Sequence, residues 1–251
     1  MEKLTALIPT GNEIHNIEEV IASVDFADEI LVVDSFSTDG TFEKAKELAD
    51  KVLQREFDYP SAQKNWAIPQ AKHDWVLLVD ADERVTSSLK EEILNVLKNP
   101  PTDIAGYWIG RQNYFMNKPI NHSGWKNDKV IRLFKKDECQ YNNKRVHEEI
   151  ITEGNLGKLT HKFIHYTYTS FDNHIEKVNK YAWWRALDYK DKVGKLTAYH
   201  FIIKPFWGFF KHYIMQSGFR DGIPGLTIAF LRSYSIFTRY LKIWLLRKGI
   251  K

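Results

Sequence analysis

The chain has 251 residues, 43% hydrophobic, 27% charged and 14% aromatic, with eight Trp. That balance suits one large domain, or a domain with an appendage, and excludes disordered, collagen-like and disulfide-stapled chains, since Cys139 is the single cysteine and has no sequence neighbour that marks a nucleophile. The net charge of +4 is unevenly spread: residues 195–251 carry ten Lys and Arg against one acid, Asp221, while the rest of the chain has an acidic excess. A lone cysteine fits a reducing compartment. The first residues, MEKLTALIPTGNE, do not read as a signal peptide, and no run of about 18 uncharged apolar residues predicts a spanning helix. A basic tail on an acidic body points to an anionic partner, a membrane surface or a nucleic acid.

Residues 4–8 read as a buried strand ended by Pro9 and Gly11, and Ile14, Ile17, Val20, Ile21 and Val24 recur at helical spacing. A second strand is predicted over 29–33, a turn over 37–40, a helix over 41–49, a third strand over 51–55, a helix over 61–71 with Pro69 blurring its end, and a fourth strand over 75–79. Ser88 and Glu91 have the spacing of a capping box opening a helix toward Lys98. Alternating strands and helices imply parallel crossovers and an open α/β sheet. Beyond them, 105–115, 129–135 and 161–168 look like half-buried strands. After Ser170 the pattern turns helical, with Phe171, Ile175, Val178, Ala182 and Leu187 on one face. The tail from 196 holds two further helical segments, split near Gly222 to Gly225.

The most telling string is DWVLLVDADER. Side chains alternate along an extended chain, so Asp80 and Asp82 lie on one side at a strand's end. Hard cations such as Mg2+ or Mn2+ take oxygen ligands and bridge carboxylates to phosphates. The carboxyl ends of strands are where open α/β sheets bind ligands. An acidic turn is the plainer reading. Two more strings fall on the same predicted edge: PTGNE, with Thr10 and Glu13, and DSFSTDGT, with Asp34 and Asp39. Asp34 can accept hydrogen bonds from a base or a ribose, whereas Asp39 suits turn and cap duty. Lys64 could neutralise a phosphate or reach the base, or be a solvated helix lysine.

In this order and spacing, IPTGNE, ILVVDSFSTDGT, AQKN and WVLLVDADE resemble the inverting family 2 glycosyltransferases, which have the GT-A fold. Members usually read VVDDGSTDGT; here Ser35 and Phe36 stand in place of the second Asp and the Gly. Further on, RVHEEI, GKLTHKFIHYTY and the aromatic, basic tail are similar to the lipopolysaccharide core glucosyltransferase branch. The resemblance implies an α/β, Rossmann-like, mostly parallel GT-A catalytic domain over 1–169, with a nucleotide-sugar half to about residue 100 and an acceptor half beyond it. A helical extension follows over 170–251. It also implies inverting transfer of a hexose from a nucleotide-sugar, a UDP-sugar, to a hydroxyl of a lipid-linked glycan acceptor. Thr10, Glu13, Asp34 and Lys64 would hold the donor, with Asp80 near the ribose. Asp82 would bind a divalent cation, Mg2+ or Mn2+, and Glu148 would be the catalytic base, with Glu149 the neighbouring alternative. Trp125, Arg132, Tyr141 and His165 are candidate acceptor or pyrophosphate contacts; His147 and His161 are weighed beside His165 as ligands or structural residues.

Rival readings are a protein or cell-wall polymer as acceptor, a nucleotidyltransferase, and a non-enzymatic membrane- or nucleic-acid-binding protein. The single glycine of PTGNE argues against a nucleotidyltransferase phosphate loop, and the acidic front half against nucleic acid. In the tail, Phe206, Trp207, Phe209 and Phe210 cluster with Lys204 and Lys211. Tyr240 to Leu246 lies among Arg239, Lys242, Arg247 and Lys248. Such a mixture suits helices lying in a membrane interface, at the cytoplasmic face of the inner membrane.

Overall fold

A computed structural model describes residues 1–142, 148–168 and 171–250. They form two compact units, residues 1–111 with 129–165, and 112–128 with 166–251. The boundary expected at 169/170 lies outside the described residues.

The first unit opens with β1 (Leu4–Thr10), α1 (Ile17–Ser23), β2 (Glu29–Asp34), α2 (Thr41–Leu48), β3 (Lys51–Gln54), α3 (Pro60–Ala67) and β4 (Trp75–Leu78). β1, β2 and β4 are apolar almost throughout because helices cover both sheet faces, as parallel strands require. Alternation sends Ile8, Val32 and Leu77 into one core and Leu7, Leu31 and Leu78 into the other. The helix expected over 61–71 stops at Ala67 and tightens into a 3-10 turn, Ile68–Gln70, where Pro69 cannot donate to the ladder.

After β5 (Glu83–Arg84) comes α4 (Ser87–Lys98). Its cap is Thr86, whose hydroxyl accepts from the Leu89 N–H at 3.2 Å, so the helix starts two residues earlier than a Ser88 capping box implies. Then follow β6 (Ile104–Phe115), β7 (Lys118–Pro119), β8 (Lys129–Lys135), β9 (Gln140–Tyr141), β10 (Ile150–Ile151) and β11 (Asn155–Tyr168). The large sheet runs β3-β2-β1-β4-β8-β6-β11-β5. It is parallel among its first four strands and antiparallel at β4–β8, β6–β8 and β11–β5. The three long middle strands of the sequence pattern supply this second half.

In the second unit β7 pairs with the end of β6. Its helices are α5 (Phe171–Tyr189), α6 (Lys204–Phe210) and α7 (Gly222–Lys248), with π-helical turns at 199–203 and 211–215 flanking α6. The break expected at 222–225 falls slightly earlier: Ser217 has φ 55° and Gly222 φ 67°, and α7 begins at that glycine. Small cores form around Phe115, Ile120, Ile228 and Leu231, and around Ala186, Tyr240 and Ile243. No described helix is long and apolar enough to cross a membrane.

Candidate active site

Parallel register sets the first part of the site. Thr10, the last residue of β1, lies opposite Asp34, the last of β2, and β4 on the other side of β1 leads through Val79 into Asp80. Asp34 is fully buried. Its Oδ2 accepts from the Ser37 N–H at 3.0 Å and from Gln54 Nε2 at 3.1 Å, and its Oδ1 accepts from the Ser37 hydroxyl. Asp34 therefore folds the 35–38 loop onto the strand end. Thr10 is also buried, and its hydroxyl has no hydrogen-bond partner among the described residues. A buried polar group left unmatched costs about 1–3 kcal/mol, so this hydroxyl fits a ligand that supplies the missing bond. Glu13 takes Asn16 Nδ2 at 2.7 Å, and its N–H donates to Thr41 at 2.8 Å, which fixes the turn into α1. Asp39 performs the turn duty anticipated for it, accepting from Thr41 N at 3.0 Å and Ile14 N at 3.1 Å.

The second part is a buried network of charges. Lys64, on α3, is 6% exposed. Its Nζ lies 3.4 Å from Asp80 Oδ1 and 3.0 Å from Glu148 Oε1, and 5.2 Å from the centre of the Tyr141 ring. Arg132, on β8, donates to Asp80 Oδ2, to Glu83 Oε1 at 3.0 Å and to the Tyr141 hydroxyl at 3.3 Å. Arg111, on β6, reaches Glu83 Oε1 at 3.2 Å, and Glu83 Oε2 accepts the Asp80 N–H at 3.1 Å. Burial alone would raise the Asp80 pKa, but Arg132, Lys64, Arg111 and His165 outweigh it and hold the carboxyl well below its usual range. Burial would lower the Lys64 pKa; Asp80, with Tyr141 and Glu148, overcomes that and raises it.

The third part depends on antiparallel pairing. β11 pairs with β5 so that His165 sits opposite Glu83. This brings His165 Nε2 to 3.5 Å from Asp82 Oδ2, with both side chains partly exposed. An oxygen and a nitrogen donor at this separation fit one divalent cation. No group of three His, Cys, Asp or Glu suited to a metal occurs among the described residues, so such an ion would take its other ligands from substrate and water.

Arg132 requires a correction. Expected at an acceptor groove, it is 3% exposed and its guanidinium is committed to Asp80 and Glu83. Trp125 belongs to the second unit, where it packs edge-on against Phe115 at 6.1 Å and 71°. Glu149 is exposed, its backbone paired with Asn142, while Glu148 turns to Lys64. His161 is exposed and its N–H donates to Glu92 at 2.9 Å. His147 lies outside the described residues. Two residues that sequence reasoning left out are central. Glu83 had a visible signal as the third acid of DADER, whereas Arg111 had none, because only the pairing of β6 and β8 brings it near.

Carboxylates and cations gathered at the carboxyl edge of an α/β sheet form a polar site where such sheets bind ligands. The family model for glycosyl transferase family 2 matches residues 5–163. The chain belongs to glycosyltransferase family 2, and its α/β sheet with C-terminal helices is the GT-A architecture expected from the motifs. It is 29% identical to the lipopolysaccharide core biosynthesis glycosyltransferase LpsC of Rhizobium meliloti (strain 1021), over 94% of this chain and 93% of that protein. It is 28% identical to an uncharacterized glycosyltransferase of Rickettsia felis, over 97% and 90% of the two chains. Among solved structures, S. aureus TarS 1–349 in complex with UDP aligns with a TM-score of 0.49 at 16% identity, covering 98% of this chain and 92% of that one.

Proposed function

We propose that the chain transfers a hexose, with inversion and metal dependence, from a UDP-sugar to a hydroxyl of a lipid-linked glycan such as a lipopolysaccharide core. The observation that carries this reading is the Lys64 bridge, which joins Asp80 of the Asp-x-Asp string to Glu148, the candidate base. In this mechanism Thr10 and Asp34 define the nucleoside end of the edge, and Glu13 holds the adjoining loop. Asp80, kept ionised by Arg132 and Lys64, accepts from a ribose hydroxyl. Asp82 and His165 would hold Mg2+ or Mn2+, which when bound neutralises charge on the diphosphate leaving group. Glu148 removes the proton from the acceptor hydroxyl as that oxygen attacks the anomeric carbon from the face opposite the diphosphate, and in-line displacement inverts the centre. Lys64 holds Glu148 in place through the 3.0 Å contact.

Similarity to LpsC along nearly the whole chain supports a lipopolysaccharide core acceptor. The basic, aromatic tail supports work at the cytoplasmic face of the inner membrane. The test is turnover of a panel of nucleotide-sugars with and without EDTA. One UDP-sugar should be turned over, EDTA should stop it, and Asp82→Ala should abolish cation-dependent transfer while circular dichroism remains native. Full activity of Asp82→Ala would refute the metal assignment.

A further inference from the structure

Helices on a protein surface normally turn their apolar stripe inward and their polar face to water. The helical stretch 199–215 does the reverse on one side. Its inner face is used: Pro205 and Gly208 are buried, and the missing side chain of Gly208 admits Ile236 of α7, whose Cδ1 would lie 2.4 Å from a Cβ there. Phe201 packs edge-on against Phe237 at 6.0 Å. Its outer face carries Ile202, Ile203, Phe206, Trp207, Phe210 and Ile214, spaced by three and four residues, and all are exposed. Phe206 is 66% and Ile202 63% exposed, values that burial against a helix partner would not leave. The first turns of α7 add Ile223 at 72%, with Leu226 and Phe230 exposed at the same spacing.

The charges along residues 195–251 are mostly basic, ten Lys and Arg against one acid. Lys211 and Arg220 are exposed beside it. The single acid beyond residue 191 is Asp221. Its carboxylate is turned into the protein, accepting from Asn121 N at 3.2 Å, His122 N at 3.1 Å and the Ser123 hydroxyl at 2.8 Å. The exposed Lys211 and Arg220 thus give the neighbourhood of the apolar face a basic excess, which complements an anionic lipid surface. Residues 199–215 would be about 25 Å long as a helix, short of a span and well suited to lie flat. Further along α7, Tyr240 and Ile243 are buried with Ala186.

We propose that the outer face of residues 199–215, together with the first turns of α7, seats on an anionic lipid bilayer. The apolar side chains enter the headgroup boundary, and Lys211 and Arg220 meet lipid phosphates. This inference rests on the second unit alone and stands apart from the reaction assigned to the first. The experiment is co-sedimentation of the full chain with vesicles of equal parts phosphatidylglycerol and phosphatidylcholine, and with vesicles of phosphatidylcholine only. The wild type should partition onto the anionic vesicles, less so at high salt. The double variant Phe206→Ser with Trp207→Ser should lose at least about 10-fold in partition, and Lys211→Glu with Arg220→Glu should lose binding only to the anionic vesicles. Both variants alter exposed side chains, and an unchanged thermal melt verifies that they fold. Equal partition of wild type and the aromatic variant would overturn the proposal. So would a wild type that ignores both vesicles, including one whose self-association in sedimentation velocity is lost in the aromatic variant, since the face would then be a contact between copies.

Discussion

Lys64 sits between two carboxylates, and its position tells the roles of Asp80 and Asp82 apart. Asp80 is occupied by Lys64 and Arg132, leaving it a fixed acceptor of hydrogen bonds and a poor ligand for a cation. Asp82, with Oδ2 3.5 Å from His165 Nε2, is the carboxylate proposed for the metal. Glu148 is the acid whose loss should cost chemistry and spare binding. Glu148→Gln keeps the shape and a contact for Lys64 but cannot take a proton, so turnover should fall by at least about 10²-fold. Donor affinity measured by calorimetry should stay within a few-fold of wild type. Glu149→Gln is the matched control, and a larger loss there would move the base by one residue.

At the scale of elements, the site is assembled by register. Thr10 faces Asp34 because β1 and β2 are parallel and in step, and His165 faces Glu83 because β11 is antiparallel to β5. A one-residue slip of β11 would turn His165 to the other side of the sheet. α4 follows β5 directly, and its cap stabilises this region twice: Thr86 accepts from Leu89 N and donates to the Lys162 carbonyl on β11 at 3.3 Å. Thr86→Ala should therefore destabilise the protein by about 1 kcal/mol in urea titration, through loss of the cap, and leave donor binding intact.

For the whole molecule, the network of Asp80, Glu83, Glu148, Lys64, Arg111 and Arg132 links β4, β5, β6, β8 and α3. Its pKa shifts set the pH dependence of stability. Asp80 has a depressed folded-state pKa, so its contribution is complete above the unfolded value of about 4 and is lost as pH falls toward the folded value. Lys64 has a raised folded-state pKa, so its contribution is complete below the unfolded value of about 10.4 and is lost as pH rises through the folded one. Stability should thus be flat with respect to Asp80 and Lys64 between those limits. Thermal melts between about pH 5 and pH 3 should fall more steeply for wild type than for Asp80→Asn, since only the wild type takes up a proton at that carboxylate on unfolding.

The α/β class, the strand ends and most of the residues gathered there follow from local pattern in the chain. Apolar runs, period-two alternation and turn residues are local properties, and local properties are written in neighbouring letters. The acids of WVLLVDADE and the loop of DSFSTDGT were legible for that reason. Tertiary structure alone decided which charges meet. Arg132 looked like an acceptor contact until β8, lying antiparallel to β4, buried it against Asp80 and Glu83. Arg111 gave no sign at all, and the Lys64–Glu148 bridge joins residues far apart in the chain. The tail shows the same division: composition revealed its aromatics and basic charge, but only packing of α7 with Ala186 of α5 separated the buried Tyr240 and Ile243 from the exposed Phe206 and Trp207. An ion pair or an open apolar face is a relation between distant segments, and its energy depends on distance and burial that exist only once the chain has folded.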